Sequence, residues 1–593
     1  MLQAKKLLSV ALGLVLVAAQ ANAAPKDGVY KEKVMGLIAP FTVEVTLEGG
    51  KIVKVTSNDA LESPGVGAEA IKTLGERIVR EQTAGVDGVS GASLTSFAVL
   101  QGTRQALKKA GADDSFFKRV HEATVLPETV TSDVVVVGGG GAGLAAAVSA
   151  LEAGATVTIV EKLGYLGGST NVCGGAFNAS GTSYQKALGI DDNPKKHFEQ
   201  TMKGGHNTND PSLVQYLADH ATESLAWLES LGLKVNPKVG AATGALYQRS
   251  HYPDPAGGHT YIAVLEEALA KYPDRVKVFL ETKATALIKE NGRVTGVAVE
   301  SRGKKGKILG TRGVIISTGG FGANVEFRQK VNTGIWKEAN LDKEIGCSNI
   351  SVAAQGDGLI MAEKVNADLI GLADIQVHPN GTPGTGLMLD IKTSGRNRLF
   401  INTNGDRFVD EGAPRDVLSK AVFAQPGQTF WLVQNHLRYP DENKIDLLSG
   451  RTMHDMLEQG RVQKAETLED LAKIMKVDVN RLRDSIEEYN RVARHEVETD
   501  RFGFRANHTD DRPITEGPYY VARKVPTIHH TMGGIKINTR AEVIDRDGKV
   551  IPGLYAAGEV TGGVHGENRL GGNAVADCMV FGRTAGRMAA NNK

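Results

Sequence analysis

The chain is poor in cysteine: Cys173, Cys347 and Cys578 are the only three in 593 residues, and they lie far apart. They make no C-x-x-C-H haem attachment and no metal-spaced cluster, and an odd count argues against a disulfide framework. Electrons handled by this chain must travel on organic cofactors. Charge of one sign is also missing. With 69 Lys and Arg against 68 Asp and Glu, the formal net charge is +1, which suggests neither a nucleic-acid footprint nor a polybasic membrane patch. Small molecules and other proteins are the expected partners. Beyond the N-terminal leader no stretch is long and apolar enough to span a bilayer, so no integral membrane segment is expected after processing. One dinucleotide fingerprint occurs in the whole chain, so a second site for a nicotinamide cofactor is not supported.

What is present begins with a targeting pattern. Lys5 and Lys6 precede the apolar run Leu7 to Ala19, and Ala21-Asn22-Ala23 fits a small-residue cleavage site. Removal of residues 1–23 and export to a periplasm are expected. On the usual size prior the remainder should hold about three to five domains.

The organising stretch is Ser132 to Lys162, SDVVVVGGGGAGLAAAVSALEAGATVTIVEK. Four valines run into Gly138, Gly140 and Gly143 in a G-x-G-x-x-G frame, with Ala142 inside it; an Ala/Leu-rich helix follows, and a second strand ends in Glu161 and Lys162. The first glycine allows the tight turn, the second lets backbone approach a pyrophosphate, and the third lets helix pack on strand. The helix N-terminus favours the anion. Glu161 stands where an acceptor for ribose hydroxyls belongs. Gly168, Ser169 and Thr170, with Gly174 and Gly175 after them, place more small and hydroxyl groups near the expected pyrophosphate, and the buried strand from Val314 ends in a turn at Thr318 and Gly319.

Upstream, residues 27–112 form a separate module. Phe41 to Val55 alternates as two strands around Gly49-Gly50, and helical stretches are expected near Ala68 to Glu81 and through Leu107. Between them lies Asp87-Gly-Val-Ser-Gly-Ala-Ser93-Leu-Thr95-Ser96. By composition this is a Ser/Gly-rich loop leading into a helix N-terminus. Residues 113–131 lack apolar periodicity and read as a linker, a tether that would let the module move. Further on, a helix is expected from Pro211 to Leu231, a hairpin over Val276 to Val299 turning at Asn291-Gly292, a second hairpin over Leu399 to Val409 about Asn404-Gly405, and two helices near Thr467 to Met475 and Val479 to Ala493.

Two resemblances give these pieces chemistry. With Glu62-Ser-Pro-Gly-Val-Gly67, the segment at Ser93 is similar to the small FMN-binding domain of bacterial redox proteins, whose D-x-x-S-G-A-T/S motif carries FMN as a phosphoester on its last hydroxyl residue. That likeness implies covalent FMN on Ser93, with Thr95 as the fallback. The pairing of the βαβ site with Gly558-Glu559 and Arg569-Leu-Gly-Gly572-Asn-Ala574-Val575 resembles FAD enzymes of the glutathione-reductase-like fold. The implied fold class is α/β: an FAD-binding domain over 132–366 and 518–593, an inserted α+β capping domain over 367–517, and the small α+β FMN-binding domain in front.

His378, Arg415, His529 with His530, and Arg569, in this order around an FAD domain and its cap, resemble the soluble fumarate reductase family, including flavocytochromes c and urocanate reductases. Arg569, helped by His529, suits a substrate carboxylate and the charge that grows on it as hydride adds to the β-carbon. The family's proton donor aligns with Arg415; physically, a guanidinium would as readily be a second anion clamp. The family's threonine beside the far carboxylate aligns with Asp390, and its proton-relay Glu and Arg with Ile391 and Ser394. A second substrate carboxylate near Asp390 would be repelled by roughly a few kcal/mol. The expectation is therefore an exported reductase of an α,β-unsaturated carboxylate, urocanate or another aryl-acrylate ahead of fumarate, with non-covalent FAD and with electrons from a periplasmic or membrane-anchored cytochrome c through FMN. An FAD oxidase or dehydrogenase of a saturated or amino acid, and an electron-transfer flavoprotein without catalysis, are the alternatives.

Overall fold

The computed structural model describes residues 24–121, 126–242, 247–446, 451–506 and 511–592. The expected leader and its cleavage after Ala23 lie outside the described residues. The first module is an antiparallel sheet of β1 (Gly28–Met35), β2 (Pro40–Glu48) and β3 (Lys51–Thr56), in that order, packed on α1 (Glu69–Glu81) and α2 (Ser93–Lys109). Along β2, Phe41, Val43, Val45 and Leu47 face the core. Both turn glycines adopt positive φ, 58° at Gly49 and 72° at Gly50, as a two-residue hairpin turn demands. Strand β1 escaped the sequence reading because Lys31 and Lys33 alternate outward while Glu32 turns in to meet Lys109 at 2.6 Å.

Most of the described part of the stretch expected as a tether is packed. Residues 113–120 fold back on the module, where Phe116 O accepts from Ala84 N and Gly85 O from Val120 N, and Thr129 already begins β4 (Thr129–Val137). The module also docks on the next domain. Leu163 and Tyr165 complete its hydrophobic core, and Asn171 Nδ2 donates to Gly65 O at 2.9 Å.

The central sheet has eight strands. Its parallel part runs Val550–Ala556, Lys304–Ile316, β4, β5 (Val157–Val160) and Val276–Phe279. The apolar runs of β4 and β5 are buried on both faces, as parallel strands covered by helices require; α3 (Gly141–Glu152) and the final helix Asn573–Ala590 pack together there. The hairpin at Asn291-Gly292 joins Lys283–Glu290 to Arg293–Ser301, whereas Val276–Phe279, read as its beginning, is a separate strand parallel to β5.

The cap is built on a second sheet in which Tyr519–Thr531 lies between Ile375–Gly381 and Phe430–Asn435, with Arg398–Ile401 outside. Arg398–Ile401 pairs with Phe430–Asn435, so the hairpin expected about Asn404-Gly405 reduces to one bridge between Ile401 and Arg407. Helices Leu468–Met475, capped by Thr467, and Val479–Ala493 cover this sheet. Strand Tyr519–Thr531 leads out of the cap to the central domain, where Thr531 N donates to Glu559 Oε1 at 3.1 Å and Thr531 Oγ1 accepts from Phe321 N at 3.4 Å.

Candidate active site

The cleft at the C-terminal edge of the parallel sheet is walled by Gly138, Gly140, Ala142, Glu161, Lys162, Gly168, Ser169, Thr170, Thr318, Gly319 and Glu559. Its three fingerprint glycines do different work. A Cβ on Gly143 would lie 1.9 Å from Gly138 O, and one on Gly138 2.4 Å from Ser317 O, but one on Gly140 would meet nothing closer than 3.9 Å. Gly143 and Gly138 therefore serve the fold, while Gly140 leaves open space at the helix N-terminus. Gly558, also expected at the cofactor, packs behind the wall: its Cβ would lie 2.7 Å from that of Ala142. Glu161 is held by the N–H groups of Gly139 at 2.7 Å and Leu163 at 2.8 Å. A carboxylate offers about four lone-pair positions, so acceptor capacity remains for a ribose. Lys162 and Lys283 pair with Asp357 at 2.5 and 2.9 Å. Thr318 Oγ1 is buried with no partner. An adenine dinucleotide fits this cleft: open backbone donors for its phosphates, an acid for its sugar and a partnerless hydroxyl.

Beside the cleft opens a cavity of ≈ 620 Å³ that shares Ser169, Thr170, Glu559 and Cys578 with it. Gly174, Gly175, Gly572, Ala574, Val575, His378, Arg415, His529, His530 and Arg569 line this chamber. Its far side is the first module, through Leu37, Ser63, Gly67 and Gly91 to Thr95. Ser93 is the first residue of α2 and is exposed, whereas Thr95 is buried and donates to Glu62 Oε2 at 2.9 Å. The hydroxyl open to a ligand is that of Ser93. Gly91, at φ 90°, and the helical turn capped by Ser63 flank it in the chamber wall.

Four separate segments bring the basic residues together. His378 and His529 come from neighbouring strands of the cap sheet, with ring centroids 5.0 Å apart. Arg415 opens the helix Arg415–Phe423. Arg569 lies in the turn before the last helix, and Gln376 ties the two arginines: its Oε1 accepts from Arg415 at 2.7 Å and its Nε2 donates to Arg569 O at 2.7 Å. Gln376 was not anticipated, although it shares a strand face with His378 two residues on. Ser348, also unanticipated, meets His529 Nδ1 at 2.7 Å.

Among the described residues lining the chamber the one carboxylate is Glu559, which burial pushes up to about 7 and which accepts from Thr531 N at 3.1 Å. Burial, then the surrounding positive groups, holds His378, His529 and His530 well below the ordinary histidine value. Burial and Arg569 lower Arg415, and burial pushes Arg569 down to about 10. Arg569 Nε, His378 Nδ1 and His530 Nε2 are buried without partners. A cationic chamber with unused donors is a receptor for an anion.

Asp390 does not belong to this chamber. It is 2% exposed, ion-paired with Lys524 and accepting from Thr382 Oγ1 at 3.0 Å. Its charge is neutralised behind the wall, so it cannot repel a substrate carboxylate as expected. Lys392, two residues on, does line the chamber, with Ser394.

The FAD binding domain family matches residues 133–575, and the FMN-binding domain family residues 36–108. The chain belongs to the FAD-binding fumarate and urocanate reductase family. It is 37% identical to the urocanate reductase of Eggerthella lenta over 93% of this chain and 90% of that protein. It is also 33% identical to the NADH:acrylate oxidoreductase of Vibrio harveyi over 95% of this chain, but spans only 61% of that longer protein. The structure of the open conformation of a flavocytochrome c3 fumarate reductase aligns over 78% of each chain with a TM-score of 0.63 and 34% identity. As a family member the chain is an oxidoreductase with FAD-binding and FMN-binding domains. Among the described residues no helix is long and apolar enough to cross a membrane.

Proposed function

We propose that this protein reduces the C=C bond of a small α,β-unsaturated carboxylate. The observation that carries the reading is the buried pair Arg415 and Arg569, joined through Gln376 and facing, with His378 and His529, a chamber that opens onto the FAD cleft. When bound, FAD supplies hydride to the β-carbon, and FMN on Ser93 supplies the electrons that restore it. The protein's own groups do the rest. Arg569 and His529 hold the carboxylate and the negative charge that gathers on it as the double bond is lost, Arg569 from a buried position where each donor counts for more. Arg415 gives a proton to the α-carbon. Its burial beside Arg569 supports this role, because both lower its hold on that proton. Hydride and proton together saturate one bond, and Arg415 regains its proton from solvent.

The placement of Ser93 in the wall of the same chamber supports electron entry through FMN rather than reoxidation of FAD by oxygen, which favours the reductase over the oxidase reading. A cytochrome c is the donor proposed, and the periplasm the proposed compartment, in keeping with the likeness to the fumarate reductase (cytochrome) of Shewanella frigidimarina, 37% identical over 78% of this chain. The preference for urocanate or an aryl-acrylate over fumarate rested on an open Asp390 and loses that support. The test is anaerobic reoxidation of reduced viologen by the flavin-loaded protein with fumarate, urocanate, cinnamate and acrylate. Turnover with at least one of them is expected; silence across the panel, with flavins bound, would leave an electron-transfer protein.

A further inference from the structure

The loop that carries Asp390 also carries the one lysine among the described residues of the chamber wall. Lys392 is partly accessible, and the surface it exposes faces the chamber. Its Nζ donates to Met388 O at 2.6 Å. An ammonium has three donors, and among the described residues no carboxylate pairs with it: Asp390 is taken by Lys524, and Asp446 by Arg438. Two further polar groups of the chamber wall lie buried without partners, Asn380 Oδ1 and His378 Nδ1. Leu387, Met388 and Leu389 give that wall an apolar lining. A cation half-enclosed with spare donors and no paired carboxylate is unfavourable unless an anion completes it or it sheds its proton.

We propose that Lys392 selects the substrate's far end by donating to an oxygen group there, the second carboxylate of an enedioate or the phenol oxygen of a hydroxyaryl acrylate. The proposal rests on the reading of the chamber as an enoate site and reverses the electrostatic sign that Asp390 would have given it. The apolar lining flanks that oxygen group and tolerates either carbon skeleton. Burial, Lys524 and Arg451, against the pull of Asp390 and Asp446, push Lys392 down to about 7, so its grip on a distal oxygen group is strongest in neutral to mildly acidic solution and weakens as pH rises.

The experiment uses the flavin-loaded full chain and two readouts. One is the flavin absorbance change on titration with saturated acids: succinate and 3-(4-hydroxyphenyl)propionate against propionate and 3-phenylpropionate. The other is KM for fumarate and 4-hydroxycinnamate against acrylate and cinnamate. In the wild type the members with a distal oxygen bind more tightly, and that advantage shrinks between pH 7 and 9. Lys392→Met is expected to cut the advantage at least tenfold and abolish its pH dependence, while Lys392→Arg retains most of it. Comparing fumarate with hydroxycinnamate tells the two skeletons apart. Equal binding of both classes by the wild type, or a Lys392→Met effect of the same size on both, would overturn the proposal while leaving an enoate reductase. If no acid perturbs the flavin or is reduced, the enoate reading itself fails, and the proposal with it.

Discussion

The dinucleotide cleft and the chamber beside it share a wall but settle their polar groups in opposite ways. In the cleft, each charge has its partner before any ligand arrives: Glu161 sits on two backbone N–H groups and Asp357 between two lysines. Among the described residues of the chamber wall, three guanidiniums, one lysine and four imidazoles crowd together with one carboxylate of raised affinity for its proton. The cleft can fold stably and wait for its cofactor. The chamber stores an electrostatic deficit that a bound anion relieves, and the same deficit weakens the proton on Arg415. Stability is concentrated on one side of Glu559 and reactivity on the other.

The sharpest way to break this contrast is to remove the reactive side's proposed acid. Arg415→Gln should lower kcat by about 10³-fold, within the range for a positioned proton donor, with FAD content unchanged by absorbance. A loss of less than tenfold would mean that another group protonates the α-carbon. Next in size is Asp390, which belongs to the paired regime despite lying close in sequence to the chamber wall. Asp390→Ala strips Lys524 of its buried partner and should cost about 3–5 kcal/mol in urea unfolding, without changing the ranking of substrates. A reversal of that ranking would restore Asp390 as a selector.

Within the cleft, two glycines three residues apart should behave differently. Gly143→Ala forces a Cβ to 1.9 Å from Gly138 O and should cost about 1–3 kcal/mol even without cofactor. Gly140→Ala enters open space at an ordinary φ of −75°. It should leave the thermal midpoint of the FAD-free protein in place but weaken FAD binding at least tenfold, read by fluorescence titration. Equal loss of stability in both would mean that Gly140 serves the fold and not the ligand.

The same contrast explains what the sequence could tell. The cleft is a local object: β4, α3 and β5 follow one another, and the reasons for Gly138, Gly140, Gly143 and Glu161 can be stated from spacing alone. Helix Pro211–Leu231 was equally legible, with Asp210 capping its start and Gly232 at φ 119° ending it. The chamber is assembled from residues 376–392, 415, 529–530 and 569, and nothing in spacing says which side of the loop after His378 faces inward. Asp390, expected at the substrate, turns away to Lys524, and Lys392, to which no role was assigned, reaches the chamber wall instead. Docking of the first module was hidden for a related reason. Leu163 and Tyr165 follow β5 with no periodicity to place them, and only the folded chain shows that their apolar surface belongs to the other domain's core.

The smallest expected effect tests the chamber's charge state directly. His378, His529 and His530 are held well below 6.5 in the folded protein, whereas in the unfolded chain they titrate near that value. Each therefore supports the fold above pH 6.5, and that support is lost as pH falls, because the unfolded chain takes up a proton that the buried ring refuses. The loss is about 1.4 kcal/mol per pH unit for each ring. Glu559, pushed up to about 7, runs the other way between its unfolded value and 7, so the slope of the wild type alone mixes the two signs. His530→Gln isolates one ring. Urea unfolding of the FAD-free protein at pH 8, 6 and 5 should show the variant losing less stability than the wild type below pH 6.5, by about 1.4 kcal/mol per unit, with no difference in slope above it. Parallel profiles would mean that His530 carries a proton in the folded state. It would then form a true ion pair with Glu559, whose oxygen lies 3.8 Å from its Nδ1, and the paired regime of the cleft would extend one residue further into the chamber.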